Sequence, residues 1–324
     1  MKAIGIRRFG GGEVLEELDL PKPSPGPQEA LVRIRAAGVN PVDWKIREGL
    51  FEGRMSHRFP IVLGWDAAGV VEALGEKADF ARVGDEIFAY CRKDILQDGS
   101  YAEYILLERQ HLAPKPKNLS FEEAAAIPLA GLTAYQSLFE GIQLKAGESV
   151  LIHAGAGGVG GFAIQLAKNV GAKVLTTASA RHHDYLKDLG ADEIIDYTKE
   201  SFVQATRRLF PGGIDAVFDT VGGQTQIESV EVLKQGGRIT SILAMNEAFF
   251  RERGLVPHYV FVRPESGQLE QLRELAEVGK LSVKIEKIFP LAEAVQAHEL
   301  IEGKHTQGKI VLSIGQVPLT RGAN

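Results

Sequence analysis

One stretch limits the possible folds more than any other. An apolar run, Val150-Leu151-Ile152-His153, leads into Gly155-Ala156-Gly157-Gly158-Val159-Gly160 and then into a helical pattern reaching Val170. A GxGxxG turn alone is weak evidence, because glycine-rich turns are common. Between an apolar strand and an amphipathic helix, it has the context of a dinucleotide-binding βα turn. On this reading Gly155 permits the tight turn, Gly157 lets a pyrophosphate approach the backbone, and Gly160 lets helix and strand pack closely. Ala156, Gly158 and Val159 complete the set of candidate cofactor-binding residues. The helix N-terminus adds unpaired N–H groups and a partial positive charge. The competing reading is a purely structural strand-to-helix turn.

The rest of the chain extends the pattern. Apolar runs at Lys173–Thr177, Glu193–Tyr197, Asp215–Asp219, Arg238–Leu243 and His258–Val262 alternate with helical segments. That rhythm predicts an α/β fold with a doubly wound parallel sheet of six strands. Residues before about 120 differ: short apolar runs such as Glu29–Arg35 and Gly69–Leu74 are separated by turn material, which predicts a β-rich, barrel-like antiparallel domain. Ser120-Phe121-Glu122-Glu123 predicts a capped helix start, with Ser120 as N-cap and Glu123 completing the capping box. An Ala-rich, mostly helical stretch is expected from there to Phe139. Pro290 is expected to open a helix through His298, and Lys309–Ile314 reads as a closing strand that returns to the first domain. The expected partition is 1–123 with 280–324, and 124–279.

The end of the second sheet strand bears on which nicotinamide cofactor fits. An NAD site usually places a carboxylate about 20 residues after the glycine turn to accept the ribose 2′-hydroxyl. Here the stretch is Thr176-Thr177-Ala178-Ser179-Ala180-Arg181, and no acid precedes Asp184. Ser179 and Arg181 can donate to a 2′-phosphate, which favours NADPH; the other reading of Arg181 is a solvated helix-cap residue. Tyr197, ending the third strand, is either a contact for the adenosine end or an ordinary strand-end tyrosine.

Several function classes are disfavoured. A net charge of −5 gives no electrostatic case for nucleic acid or an anionic membrane surface. The single cysteine, Cys91, rules out an internal disulfide and any zinc site needing two or more cysteines; it is expected as a small buried residue at a strand end. His182-His183 lacks a nearby third ligand and is expected as a solvated helix start. The first residues lack the apolar stretch of a signal peptide, and no run approaches a membrane span. A cytoplasmic setting is the expectation.

Five stretches together carry a resemblance that covers essentially the whole chain: Ala37-Gly38-Val39-Asn40-Pro41-Val42-Asp43, Gly64 to Val71, Leu132-Thr133-Ala134-Tyr135, the glycine turn, and Gly308-Lys309-Ile310-Val311-Leu312. The chain resembles the zinc-independent quinone oxidoreductase branch of the medium-chain dehydrogenase/reductases, relatives of zeta-crystallin and the plant enone oxidoreductases. The resemblance implies a GroES-like β-rich catalytic domain beside the Rossmann domain, and a homodimer. Zinc-dependent alcohol dehydrogenases of this fold carry metal ligands where this chain has Asn40, Trp65 and Asp66, so neither thiolate nor imidazole is available there.

By the same resemblance, catalytic candidates are Asn40, Lys45 and Thr133. Asn40 is a donor to the acceptor oxygen or nicotinamide ribose, or a turn residue before Pro41. Lys45 stabilises an enolate or touches the cofactor, or is a solvated lysine. Thr133 lies near the nicotinamide, or is an ordinary helix residue. Asp43 reads as a group holding Lys45 or a backbone. Ile242 and Leu243 are expected to present backbone groups to the carboxamide, and Lys309 joins the cofactor-binding set. Trp65 is an apolar wall or a core residue, with Phe51 and Phe59 as further rings of an aromatic pocket.

Without a Lewis acid to lower an alcohol's pKa, alcohol oxidation is disfavoured. Quinones and α,β-unsaturated carbonyls need less help, because conjugation moves the incoming charge onto oxygen. The expected function is therefore NADPH-dependent hydride transfer to a quinone or enone. A carrier-linked enoyl reductase and a non-catalytic NADPH-binding sensor are the alternatives.

Overall fold

The computed structural model describes residues 1–303 and 306–315. The tail 316–324 of the expected first domain, together with 304 and 305, lies outside the described residues. Two compact units emerge. The first holds Met1–Leu129, Pro264–Glu277 and the described residues from Val283 onward; the second holds Ala130–Arg263 and Val278–Ser282.

The second unit is built on a six-stranded parallel sheet, in the order Glu193–Ile195, Lys173–Thr177, Ser149–Ile152, Ile214–Asp219, Leu233–Ser241, Val256–Tyr259. This is the doubly wound order that reverses direction beside the first strand. The strands Lys173–Thr177, Ser149–Ile152 and Ile214–Asp219 are buried nearly throughout because both faces are covered. Leu151, Leu175, Val217 and Ile239 pack with Phe202 and Phe250 in one buried cluster. The last strand begins two residues before the expected run and ends at Tyr259; Pro257 is tolerated because this is an edge strand.

The first unit contains a sheet in the order Leu112–Pro114, Glu86–Tyr90, Asp66–Leu74, Ala30–Val39, Lys309–Ser313, Ile285–Pro290. Tyr104–Leu107 also pairs with Ala30–Val39, and a three-stranded sheet joins Glu16–Asp19, Lys2–Ile6 and Ile61–Val62. Within these two sheets pairing is antiparallel except for Ile285–Pro290 with Lys309–Ser313, and a separate short pair, Ser56–His57 with Ile95–Leu96, is also parallel. The expected return of Lys309–Ser313 is observed: Ile310 lies opposite Val39. The helix Ser266–Glu277, which the sequence pattern groups with the second unit, is held in the first. Asn118 Nδ2 donates to its Ala276 carbonyl, and the Lys117 N–H donates to Glu277.

One helical expectation holds with interruptions and one needs correction. Ser120 caps as predicted, accepting from the Glu123 N–H at 3.1 Å while Glu123 accepts from the Ser120 N–H at 2.8 Å. The helix nevertheless stops at Ala125. Pro128 disfavours helical backbone just before it and opens a new helix, Pro128–Tyr135, which runs into a π-helical segment, Gln136–Gly141. Pro290 closes the strand Ile285–Pro290 instead of opening a helix, and the helix begins at Ala294. Among the described residues no helix is long and apolar enough to cross a membrane.

Candidate functional site

In the second unit, the glycine turn joins the strand Ser149–Ile152 to the helix Gly158–Asn169. A Cβ on Gly155 would lie 2.1 Å from Thr176 Oγ1, on the adjacent strand, and one on Gly160 would lie 2.4 Å from the Ala154 carbonyl oxygen. Gly155 therefore answers crowding; the left-handed backbone of the turn falls on Ala154, at φ +52°. Gly157 differs, since a Cβ there would meet nothing closer than Ala154 O at 3.5 Å. Its open side leaves a backbone surface at the N-terminus of a twelve-residue helix. The Gly157 carbonyl already accepts from the Gly161 N–H, so the N–H groups of 158–160 precede the first helical acceptor. This cradle fits a pyrophosphate.

Register places the other predicted contacts along one sheet edge. Thr177 lies opposite Ile195, so Ser179 and Tyr197 each stand two residues past a paired position. Tyr197 is exposed. Ser179 precedes the short turn Ala180–His182, where Arg181 is exposed and its Nε donates to His182 Nε2 at 2.9 Å. His182 is thus a buried acceptor and not the solvated residue expected from sequence. Ile242 and Leu243 follow the strand Leu233–Ser241 and use their N–H groups internally, on the Asp219 carbonyl and Ser241 Oγ. Their carbonyls are the groups left to meet an amide. Thr133 is buried on the helix Pro128–Tyr135.

Two residues beneath this edge escaped the sequence reading. His153 is buried, with Nδ1 facing Thr177 Oγ1 at 3.4 Å and Nε2 facing Ser229 Oγ at 3.1 Å. Burial pulls its pKa down to about 4, against the opposing pull of Asp219. Asp219 accepts from the Val221 and Gly222 N–H groups, Gln226 Nε2 and Ser241 Oγ, which ties two strand ends together. A carboxylate closing an apolar strand and followed by Gly222-Gly223 was the available signal, since a buried charge demands such donors.

The first unit brings Asn40, Asp66 and Lys309 together. Gly38 pairs with Asp66, and Ile310 with Val39, so the three side chains arrive from neighbouring strands and a strand end. Asn40 Nδ2 donates to Asp66 Oδ2 at 2.9 Å, while Lys309 Nζ donates to Asn40 Oδ1 and to the Val39 carbonyl. Asp66 Oδ1 accepts from the Leu129 N–H at 2.7 Å. All three residues are buried. Burial raises the Asp66 pKa and lowers that of Lys309, and each charge opposes the other's shift. Lys45 is half-buried, its ammonium 5.7 Å from the Trp44 ring centroid.

Asp43 holds a backbone, as one sequence alternative has it: its Oδ2 accepts from the Asn40 N–H at 2.8 Å and from the Tyr101 hydroxyl at 3.0 Å. Burial pushes its carboxyl up to about 7. Trp65 is buried and meets Phe51 and Tyr90 edge-on, with centroids 6.2 and 6.1 Å away. Phe59 instead contacts Phe9 and His57, so the expected three-ring pocket loses that member. Ile46, Leu63, Trp65, Cys91 and Leu96 line a pocket with Lys93, Gln97 and Asp98. Cys91 is a buried free thiol just after its strand, with its pKa raised by burial.

Two family models match: "Alcohol dehydrogenase GroES-like domain" over residues 26–117 and "Zinc-binding dehydrogenase" over 189–312. The 2-methylene-furan-3-one reductase of Solanum lycopersicum is 38% identical over 322 residues, covering 96% of this chain and 79% of that protein. The chain belongs to the quinone and enone oxidoreductases of the medium-chain dehydrogenase/reductase superfamily. The chloroplastic NADPH-dependent alkenal/one oxidoreductase of Arabidopsis thaliana is 36% identical over 322 residues, with the same 96% and 79% coverage. Among solved structures, the quinone oxidoreductase from Coxiella burnetii superposes with a TM-score of 0.89 at 37% identity, covering 97% of this chain and 99% of that one. Among the described residues, the positions Asn40, Trp65 and Asp66 offer no donor set suited to the zinc named in one family description. Trp65 offers no lone pair to a metal, Asn40 is engaged at both ends of its amide, and Asp66 accepts at both oxygens. Among the described residues no group of three or more His, Cys, Asp or Glu could hold a metal ion.

Proposed function

We propose that this chain is an NADPH-dependent oxidoreductase that passes hydride to a quinone or an α,β-unsaturated carbonyl without a metal. The observation that carries the proposal is the strand edge at Ser179 and Arg181, lacking any acid before Asp184, beside a glycine cradle with an open helix N-terminus. When bound, NADPH supplies the hydride from its nicotinamide ring. The chain's part is to bind and orient. The N–H groups after Gly157 meet the pyrophosphate, Ser179 and Arg181 the 2′-phosphate, and Tyr197 the adenosine end. The carbonyls of Ile242 and Leu243 accept from the carboxamide, and Thr133 lies against the nicotinamide.

Charge developing on the acceptor oxygen needs donors, not a Lewis acid. Asn40 gives one Nδ2–H to Asp66, and its second is assigned to that oxygen, with Lys45 as the cationic partner. Lys309 holds the Asn40 amide the right way round by donating to Oδ1. Trp65, edge-on to Phe51, is the apolar wall offered to a flat acceptor. A cytoplasmic homodimer completes the proposal: the one cysteine is a buried free thiol. The edge strand Val256–Tyr259 also exposes Val256 and Tyr259 beside an unpaired strand face.

The deciding assay follows NADPH consumption with a quinone and with an alkenal, with and without chelator, and repeats it with NADH. Turnover with NADPH that ignores the chelator is expected. Preference for NADH, or activity only after adding zinc, overturns the reading.

A further inference from the structure

The Tyr101 hydroxyl sits in a run of hydrogen bonds whose direction is set from one end. Arg47 is buried and its guanidinium can only donate. Its Nη1 lies 3.2 Å from His298 Nδ1 and 2.8 Å from Glu302 Oε1. His298 must therefore accept at Nδ1, so the neutral ring carries its proton on Nε2. Burial and the neighbouring Arg47 charge hold that ring neutral, with a pKa lowered to about 3. Nε2 lies 3.4 Å from the Tyr101 oxygen, which leaves the Tyr101 O–H to donate to Asp43 Oδ2 at 3.0 Å. The same oxygen receives the Asn40 N–H.

The ring is seated as tightly as its hydroxyl. Tyr101 is fully buried, and a Cβ on Gly64 would come within 2.3 Å of Tyr101 Cδ1. The other Asp43 oxygen, Oδ1, is buried with no hydrogen-bond partner. Asp43 thus depends on two donors at one oxygen, and one of them is Tyr101.

We propose that Tyr101, oriented by His298, is a positioning residue that holds Asp43 and through it the backbone N–H of Asn40, the residue whose side chain is the assigned donor. The inference rests on the assignment of Asn40 as a donor to the acceptor oxygen. Charged and titratable groups facing Asp43 are Asp66 and Lys309 from the strands, Tyr90, Tyr101 with His298 behind it, and Arg47 one turn along the same helix. Donation from Tyr101 favours the ionised carboxyl, and the Asp66 charge opposes it. Losing the hydroxyl moves the Asp43 titration to higher pH.

The test compares wild type, Tyr101→Phe, His298→Gln and His298→Leu, using NADPH with one quinone and one alkenal. Tyr101→Phe is expected to lower kcat about tenfold by misplacing a donor, with KM for NADPH within about twofold. The inflection of kcat near pH 7 moves upward. His298→Gln keeps an acceptor for Arg47 and a donor for Tyr101, and so retains more activity than His298→Leu. Unchanged kcat and an unmoved inflection in Tyr101→Phe overturn the inference, whatever happens to thermal stability. Carbon-13 NMR of aspartate carboxyls reads Asp43 without turnover. If wild type consumes no NADPH, the functional proposal fails, but the carboxyl titration still decides whether Tyr101 holds Asp43. Asp43 titrating at the same pH in both proteins sinks the inference.

Discussion

The glycine cradle and the Asn40 cluster are built from opposite materials. The cradle is made of backbone and of missing side chains, where Gly155, Gly157 and Gly160 leave room within a few consecutive residues. The cluster is made of polar side chains collected from separate strands and buried where each needs a partner. A site of the first kind is disturbed by adding atoms; a site of the second kind is disturbed by removing them.

The largest effect is expected in the cluster. Lys309→Met leaves Asp66 buried without its cation and should cost about 3–5 kcal/mol. Denaturant unfolding measures the loss, and adding Asp66→Asn should recover most of it. If the single variant is as stable as wild type, the cluster is not the charge-dependent region described.

Acid tests both regions together, since His153 in one and His298 in the other are buried with lowered pKa values. For His153 the folded pKa of about 4 lies below the ordinary 6.5. The unfolded chain therefore binds more protons in that window, and stability is lost as pH falls from 6.5 to 4, by about 3 kcal/mol. The His298 penalty continues to about pH 3. His153→Gln should flatten the upper part of the stability profile; an unaltered profile would contradict the burial argument.

In the cradle, Gly155→Ala forces a Cβ onto Thr176 Oγ1. Overpacking of this kind costs about 1–3 kcal/mol, and NADPH titration should show weakened binding that Thr176→Ala partly restores. The smallest expected effect is at the cradle's rim. Arg181→Ala removes a charge-assisted contact and should weaken NADPH about tenfold, or ~1.4 kcal/mol, while NADH changes little. Equal losses for both cofactors would remove Arg181 from the 2′-phosphate.

The same contrast explains what the sequence made legible. The glycine turn and the Ser120–Glu123 box are local, so spacing alone exposes them. Even there the role of Gly155 was misread, because the crowding comes from Thr176 on another strand. Asn40 was singled out by a family likeness, but its ties to Asp66 and Lys309 follow from antiparallel register, which spacing does not reveal. Tyr101 and His298 belong to no motif, and their meeting depends on a helix packed far along the chain. His182 was taken for solvated because its burial is a property of the fold.

The strand Lys309–Ser313 has one more consequence, for the order of events at the ribosome. Lys309 lies 269 positions beyond Asn40, so it emerges on the order of tens of seconds later. All six strands of the nucleotide-binding sheet are synthesised in that interval. Until Lys309 docks, Asp66 has no ammonium to meet, and residues 36–39 of the nascent first unit lack their partner strand.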